Sequence, residues 1–363
     1  MQRRSFIRYS LYASAIAALS THLPLRADTR PKRILVLGGT LFLGPAFVEA
    51  ALADGHTVTL FNRGVTSPDL FPNVEKLRGF RSPNPDDQNL SALGRRHWDV
   101  VIDVWPHDPA LAESAARLLK DRTQHYLYVS SISAYAHNDT GQILTEDSSL
   151  APWNGDGNNY SLAKAESERR LHAIIGEKLT IVRPGPIKGV RDDTPDILGW
   201  LRRMQNNTQV IAPGDGDSRV EIVDVKDVAD FLLLAIDRSI YGTFNLTGQP
   251  MTFRQFLGGC KSATHSSAEL VWIPEPFLRA QGLTPQNLPN WFRNFPSWNS
   301  DPARQGGQTS QTAFAAGWET RPYRDTALDY LTYIASLSNY EFRDTLPPAR
   351  HAEVLKLWQN QPR

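Results

Sequence analysis

The sequence contains a single cysteine, Cys260, among 363 residues. One cysteine excludes an intramolecular disulfide and any cysteine-rich zinc or iron–sulfur site. The chain also lacks an excess of either charge, because 39 Lys and Arg residues face 38 Asp and Glu residues. This balance gives no electrostatic reason to expect nucleic acid or a membrane surface as a partner. No apolar run approaches the roughly 20 residues that a membrane-spanning helix needs.

Metal-binding patterns are missing as well. The nine histidines show none of the close His–His or His–Glu pairings that are typical of a catalytic metal, so we predict none. What the chain does have is 41% hydrophobic and 21% charged residues, which is enough apolar material for a sizeable core. Its length predicts one large domain or two modest ones.

Residues 1–27 differ from the remainder, because they hold four arginines and no acidic residue. The pair Arg3-Arg4 precedes a weakly apolar stretch, and an imperfect cleavage site follows near residue 27. The pattern Arg-Arg-x-Phe-Ile resembles a twin-arginine export signal. It predicts an interaction with the twin-arginine export machinery and a periplasmic or secreted location in a bacterium. The alternative is an amphipathic N-terminal helix, and in either case these residues are left out of the fold prediction.

A glycine-rich segment comes next, Gly38-Gly39-Thr40-Leu41-Phe42-Leu43-Gly44. It follows a predicted strand over 33–37 and precedes a predicted helix over 45–53 and a second strand over 56–61. A strand, glycine turn, helix and strand within about 30 residues are typical of a dinucleotide site, where the helix N-terminus faces the pyrophosphate. Leu41 replaces the middle glycine, so a glycine-rich turn of another α/β protein is the alternative. The predicted cofactor-binding residues of this segment are Gly38, Gly39, Thr40, Phe42, Leu43 and Gly44.

The end of the second strand bears on cofactor choice. An NAD site typically has an acidic residue there, which binds the ribose 2′-hydroxyl. This chain has Asn62 and Arg63 instead. Arg63 can pair with a 2′-phosphate instead, and no carboxylate would repel it. We therefore predict NADP, with NAD as the alternative cofactor and a solvent-facing Arg63 as the alternative role.

A second group of residues lies in the middle of the chain. Ser131 follows a predicted strand over 126–129, at the end where open α/β sheets place their ligands. Tyr160 and Lys164 lie four residues apart on a predicted helix and therefore share one face. A cation there is expected to lower the pKa of Tyr160 and make it an acid/base. The alternative is a pair on the protein surface.

These motifs, in this order, resemble an extended or atypical short-chain dehydrogenase/reductase of the NAD-dependent epimerase/dehydratase type, in a branch near isoflavone-reductase-like and chloroplast stem–loop-binding proteins. The resemblance implies an α/β protein: a Rossmann domain with a doubly wound parallel sheet over residues 28–183, and a smaller α/β substrate-binding part over 184–363 that is interleaved with the last Rossmann elements. It further implies Tyr160 as acid/base, Lys164 as ribose ligand, Ser131 as hydrogen-bond partner of the reacting oxygen, and Pro184 beside the nicotinamide. The sequence departs from the family at Leu41, Asn62 and Phe80.

The reaction that the resemblance implies is hydride transfer at a carbinol carbon of a small-molecule substrate, and a sugar derivative is the expected substrate. Little NADP is expected outside the cytoplasm, so an exported enzyme is expected to keep one cofactor and act without net redox change, as an epimerase does. An aromatic stretch over 287–300 is a candidate sugar-binding wall, or else an irregular edge loop. Two alternatives stay open: an NADPH-dependent ketone or aldehyde reductase, and a non-catalytic RNA- or ligand-binding member of the family. The oligomeric state is open as well.

Overall fold

The structure is a computed structural model, and it describes residues 30–82, 89–104, 108–136, 142–194, 196–284, 288, 307–337 and 345–361. The predicted export signal and nearly all of the predicted aromatic wall lie outside these ranges. Within them, no helix has both the length and the apolar character to cross a bilayer.

Strands and helices alternate along most of the chain. The strands are β1 (Arg33–Leu37), β2 (Thr57–Asn62), β3 (Glu75–Arg78), β4 (Trp98–Asp103), β5 (Thr123–Val129), β6 (Ile143–Leu144), β7 (Leu179–Pro184), β8 (Ile187–Lys188), β9 (Gln209–Pro213), β10 (Arg219–Val220), β11 (Val223–Asp224), β12 (Gly242–Leu246), β13 (Met251–Thr252), β14 (Glu269–Ile273) and β15 (Gly307–Gln308). The helices are α1 (Leu43–Ala53), α2 (Pro109–Leu119), α3 (Tyr160–Ile175), α4 (Asp196–Asn206), α5 (Val225–Arg238), α6 (Phe253–Ala263), α7 (Glu275–Ala280), α8 (Gln311–Ala315), α9 (Tyr323–Ser336) and α10 (Pro348–Gln359).

Seven strands form one parallel sheet in the order β12-β7-β5-β4-β1-β2-β3. The order reverses between β1 and β4, which opens a crevice at the carboxyl ends of the strands. The predicted Rossmann fold is therefore confirmed. Its first strand has the predicted bounds, and Asp108 caps α2 by accepting the Ala110 N–H at 2.8 Å.

Helices cover both faces of the sheet, because successive side chains of a strand point to opposite sides. Ile34 and Val36 of β1 pack with Phe47 of α1 and with apolar residues of α5. Leu35 and Leu37 pack on the other face with residues of α2 and α3. A strand that is buried on both faces needs an uninterrupted apolar run, and β1 has one.

A separate hydrophobic core lies in the C-terminal part of the chain. It is built by α4, α6, α9, α10 and the parallel pair β9–β14, with Trp200, Phe253 and Tyr330 among its fully buried residues. Between these elements the chain returns to the main sheet, since β12 pairs with β7 at the sheet edge. The two parts are therefore interwoven after residue 184.

Candidate active site

A cavity of about 720 Å³ lies at the carboxyl ends of the strands around the switch in strand order. Every residue that the sequence predicted for cofactor binding or catalysis lines it: Gly38, Gly39, Thr40, Phe42, Leu43, Gly44, Asn62, Arg63, Ser131, Tyr160, Lys164 and Pro184. Their placement at one site is a structural finding, whereas their individual roles stay predictions.

The glycine turn has a shape that side chains would fill. Gly38 and Gly39 have φ angles of 119° and 89°, which favour glycine. A Cβ at Gly44 would lie 2.5 Å from the Cα of Gly39, so α1 can start this close to β1 only without that atom. No side chain caps α1, and its first turn contains no acidic residue. The Gly44 N–H is bonded to the Leu41 carbonyl and Pro45 has no N–H, so the helix offers a phosphate the Leu43 N–H and the positive end of its dipole, and the turn fits a dinucleotide.

Asn62 holds three strand ends together. Its Nδ2 donates to the Gly38 carbonyl at 3.2 Å, and its Oδ1 accepts the Gly64 N–H at 2.9 Å and the Arg78 guanidinium at 2.6 Å. The sequence prediction includes Asn62 among the cofactor-binding residues, at the position where an NAD site has an acid. The structure also gives it a scaffolding function, and it brings Arg78 beside the turn that carries Arg63.

The charge of the cavity lining is one-sided. Among the described lining residues are the cations Arg63, Arg81 and Lys164, and no Asp or Glu, but the charge of Arg81 is compensated by the buried Asp103 behind it. Arg63 is exposed, so its charge is available to a ligand. A lining of this kind favours an anion with several phosphates.

Tyr160 and Ser131 meet at the other end of the cavity. Tyr160 starts α3, whose Asn159 cap accepts the Leu162 N–H at 3.2 Å. Tyr160 is 40% exposed and lines the cavity, and its hydroxyl is hydrogen-bonded with Ser131. Partial burial in the cleft raises the pKa of Tyr160, and the Ser131 bond opposes this only in part. Tyr160 is therefore protonated at neutral pH.

Lys164 is buried close to the Tyr160 ring. Its Nζ donates to the Val129 carbonyl at 2.8 Å and lies 5.8 Å from the centre of the Tyr160 ring. Burial lowers the pKa of Lys164 to about 8, against the attraction of Asp103 and Glu168. The sequence predicted that this ammonium lowers the pKa of Tyr160. That prediction is not met, because desolvation outweighs any such effect here.

Two buried ion pairs support this end of the cavity, and the sequence analysis missed both. Arg81 binds Asp103 through two bonds of 2.9 Å, and Tyr126 donates to the same carboxylate at 3.0 Å. Arg183 binds Glu168 with a shortest bond of 2.7 Å, one turn of α3 beyond Lys164.

The Glu168–Arg183 pair also connects separate elements. Ser130, next to Ser131, donates to Glu168, while Arg183 donates to the Tyr135 hydroxyl at 2.8 Å. Tyr135 donates in turn to Asn245 of β12 at 2.7 Å. A charged residue in an otherwise apolar strand could have indicated these pairs in the sequence. Asp103 is the last residue of β4, and Arg183 is the next to last residue of β7.

Within the described part of the chain, Asp54, His56 and Asp237 form the one group with the spacing of metal ligands. His56 Nδ1 accepts the Lys32 N–H at 3.2 Å, which places the imidazole proton on Nε2. Nε2 faces Asp237 at 3.6 Å and so has no lone pair to offer a metal. Asp54 and His56 also lie just before β2, at the amino end of that strand, whereas the cavity lies at the carboxyl ends of the strands.

Comparisons with known proteins agree with this geometry. The chain is 27% identical over 249 residues to the chloroplast stem-loop binding protein of 41 kDa b of Arabidopsis thaliana, covering 64% of this chain and 63% of that protein. It is 24% identical to the decarboxylating sterol-4-alpha-carboxylate 3-dehydrogenase of Dictyostelium discoideum, covering 62% and 74%.

A crystal structure of UDP-glucuronic acid 4-epimerase from Bacillus cereus in complex with NAD has the same fold, with a TM-score of 0.59, 16% identity and coverage of 85% of this chain and 100% of that one. The model of the NAD dependent epimerase/dehydratase family matches residues 34–247, from β1 through β12. This span contains the glycine turn, Ser131, Tyr160 and Lys164, and the chain belongs to the NAD-dependent epimerase/dehydratase family.

Proposed function

We propose that this protein is an NAD(P)-dependent oxidoreductase that acts on a carbinol carbon of a sugar derivative and keeps its cofactor between turnovers, as an epimerase does. One observation carries the proposal. Ser131, Tyr160 and Lys164 converge at one end of a single cavity, and the glycine turn and Arg63 line the other end. A dinucleotide can span both ends, and its reactive ring then lies beside Tyr160.

The chain's own groups handle the substrate oxygen and its proton. The Ser131 and Tyr160 hydroxyls, already hydrogen-bonded to each other, hold the reacting oxygen. Tyr160 takes the hydroxyl proton when the carbinol is oxidised and returns it when the carbonyl is reduced. The bound dinucleotide supplies the hydride acceptor and donor. Lys164 contributes the positive charge that stabilises the phenolate whenever Tyr160 has given up its proton.

Replacement of Tyr160 by phenylalanine tests this assignment. We expect turnover to be abolished while NADPH affinity stays within about twofold, since the lost hydroxyl serves proton transfer and not cofactor binding. Tyr333→Phe, in the C-terminal part of the chain, is the matched control. Turnover that survives in Tyr160→Phe removes Tyr160 from the mechanism.

We further propose NADP as the preferred cofactor. Arg63 and Arg78 flank the end of β2, Asn62 stands where an acid would select NAD, and the described lining holds no carboxylate. A charge-assisted bond to a 2′-phosphate predicts that Arg63→Ala weakens NADPH at least about tenfold and leaves NADH nearly unchanged. Arg117→Ala, an exposed arginine on α2, serves as control. Equal losses for both dinucleotides contradict the assignment.

Export as a folded protein supports retention of the cofactor. If residues 1–27 direct the chain to the periplasm by the twin-arginine route, the dinucleotide is bound before export and is reused there. Nucleotide sugars are cytoplasmic, so a free, glycan-linked or lipid-linked sugar is the proposed substrate. Mass spectrometry of small molecules released from the denatured exported protein tests this directly. Stoichiometric NADP or NAD supports it, and protein without nucleotide contradicts it.

The same measurement separates the two alternatives. Protein that lacks nucleotide but oxidises added NADPH with ketones or aldehydes is a plain reductase. Protein that binds neither dinucleotide would be a non-catalytic binding protein with this fold. The name of the Arabidopsis relative, a stem-loop binding protein, is the reason to test this alternative. The balanced charge of the chain opposes a role in RNA binding.

A further inference from the structure

A second cavity, of about 400 Å³, lies where the start of α5 meets the start of α9. Asp224, Asp227, Arg321 and Tyr323 are among its lining residues. Among the residues that the structure describes, it shares none with the candidate active site. A cavity of this size can hold a small organic molecule, and the proposed oxidoreductase activity makes no use of it.

Two carboxylates form the buried part of this second cavity. Asp224 and Asp227 are only 6% and 3% exposed. Asp224 caps α5 through its Oδ1, which accepts the Lys226 N–H at 2.6 Å, whereas its Oδ2 accepts no hydrogen bond from any residue in the described ranges. Because a buried carboxylate oxygen without a donor is unfavourable, Asp224 is suited to accept a hydrogen bond from a ligand in the cavity.

The charges around the second cavity do not balance. Four carboxylates meet two cations, and these groups are Asp224, Asp227, Asp230 and Asp329 with Arg321 and Lys226. The neighbouring Arg324 pairs with Asp325 and leaves this balance unchanged. Burial raises the pKa of Asp227 to about 6, while Arg321 opposes the rise and the charge of Asp224 adds to it. The second cavity is therefore short of positive charge.

An aromatic ring lines the same cavity. Tyr323 packs beside Phe256 of α6, with 4.7 Å between the ring centres. The ring fits there because residue 259 is glycine, since a Cβ at Gly259 would lie 2.6 Å from the Tyr323 Cδ1. Aromatic faces attract cations, and carboxylates accept charge-assisted hydrogen bonds from ammonium groups. The cavity thus combines the two groups that recognise an organic ammonium ion.

We propose that the second cavity binds a small organic ammonium ion, with Asp224 as its hydrogen-bond acceptor and Tyr323 as its aromatic contact. A bare metal ion is a poorer fit, because within the described ranges the one group with the spacing of metal ligands lies elsewhere. This inference goes beyond the proposed function and does not depend on it, since the two cavities have separate linings.

Calorimetric titration of the full-length protein with the diamine putrescine tests this inference. The diol 1,4-butanediol is the control ligand, because it has the same carbon chain and no charge. Asp224→Asn is the test variant, since asparagine caps a helix about as well as aspartate and so preserves the start of α5. Asp217→Asn is the control variant, because its carboxylate is 77% exposed and does not line the cavity.

We expect putrescine to bind the parent protein with saturation and to bind Asp224→Asn at least about tenfold more weakly, since a charge-assisted bond is lost. Affinity should stay within about twofold in Asp217→Asn and in protein loaded with NADPH. It should fall between about pH 7.5 and 5, because protonation of Asp227 removes a negative charge from the cavity.

Three results overturn the inference: no binding of putrescine to the parent protein, equal binding of the diol, or equal affinity in Asp224→Asn and the parent protein. The comparison of putrescine with the diol needs no variant, so it decides the question even if Asp224→Asn does not fold. None of these results bears on the proposed function, which Tyr160→Phe tests separately.

Discussion

Replacement of Lys164 by methionine is expected to stabilise the fold while it abolishes turnover. Lys164 is only 5% exposed, and its ammonium lies among the rings of Tyr128 and Tyr160. Its surroundings include the buried charges of Asp103, Glu168 and Arg81, which influence it in opposite directions. The buried positive charge of Lys164 therefore destabilises the folded state. Methionine fills a similar volume and carries no charge.

The magnitude follows from the pKa. Burial lowers the pKa of Lys164 from its ordinary 10.5 to about 8. At 1.36 kcal/mol for each unit, the charged form costs the folded state about 3 kcal/mol. Methionine also loses the bond to the Val129 carbonyl, worth about 1 kcal/mol. The variant should therefore be more stable than the parent protein by about 2 kcal/mol at pH 7.

The sign of the pH dependence is fixed by proton binding. Below pH 8 Lys164 is protonated in both the folded and the unfolded protein, so the parent protein is destabilised by the full cost of burying this charge. Between about pH 8 and 10.5 the unfolded state binds more protons than the folded state, so the stability of the parent protein rises relative to that of the variant. The advantage of Lys164→Met should thus be constant below pH 8 and shrink above it.

Urea unfolding of dinucleotide-free protein at pH 7, 8, 9 and 10 measures this difference. Lys164→Arg is the control, because it keeps the charge and should bring no gain in stability. A Lys164→Met variant that is less stable than the parent protein at every pH, by the same amount, would refute the account of Lys164 as a costly buried charge.

Three further predictions follow from the same site. The rate of carbinol oxidation should rise about tenfold per pH unit from about pH 6 to 7.5, where Lys164 keeps its charge, because the raised pKa of Tyr160 keeps the base form scarce; a plateau within this range would show that bound cofactor depresses the pKa of Tyr160. Arg183→Met should lower the free energy of unfolding by about 3 to 5 kcal/mol in chemical denaturation, since it leaves the Glu168 carboxylate buried and unpaired, and Glu168→Gln in the same background should recover part of that loss. Gly44→Ala should lower Tm and weaken NADPH binding in titrations, because its Cβ needs the space of Gly39; an unchanged affinity would mean that the turn does not hold the pyrophosphate.

The sequence predicts most of the nucleotide-binding half of the fold, because its signals are local. An apolar run identifies β1, and the glycine turn has to adopt positive φ angles that few residues accept. Spacing places Tyr160 and Lys164 on one helix face and Ser131 at a strand end, whereas the prediction that all three share one site came from the resemblance to the family.

Long-range pairing could not be predicted in the same way. Arg81 and Asp103 are 22 residues apart, and only the tertiary fold brings them into contact. Whether the pKa of Tyr160 is raised or lowered depends on how much protein surrounds the hydroxyl. The spacing of residues in the sequence carries no information about that burial. The alternation of the chain between the main sheet and the C-terminal core depends likewise on contacts between distant segments.

The bonds of Asn62 have an evolutionary consequence. An aspartate at this position would still accept from Gly64 and Arg78, but it would place a second oxygen about where Nδ2 now lies, 3.2 Å from the Gly38 carbonyl oxygen. The two oxygens would repel each other at the glycine turn, so the single change that introduces the acid typical of NAD sites damages the turn that either dinucleotide needs. Cofactor preference in this lineage is therefore expected to change through paired substitutions, and rarely through one.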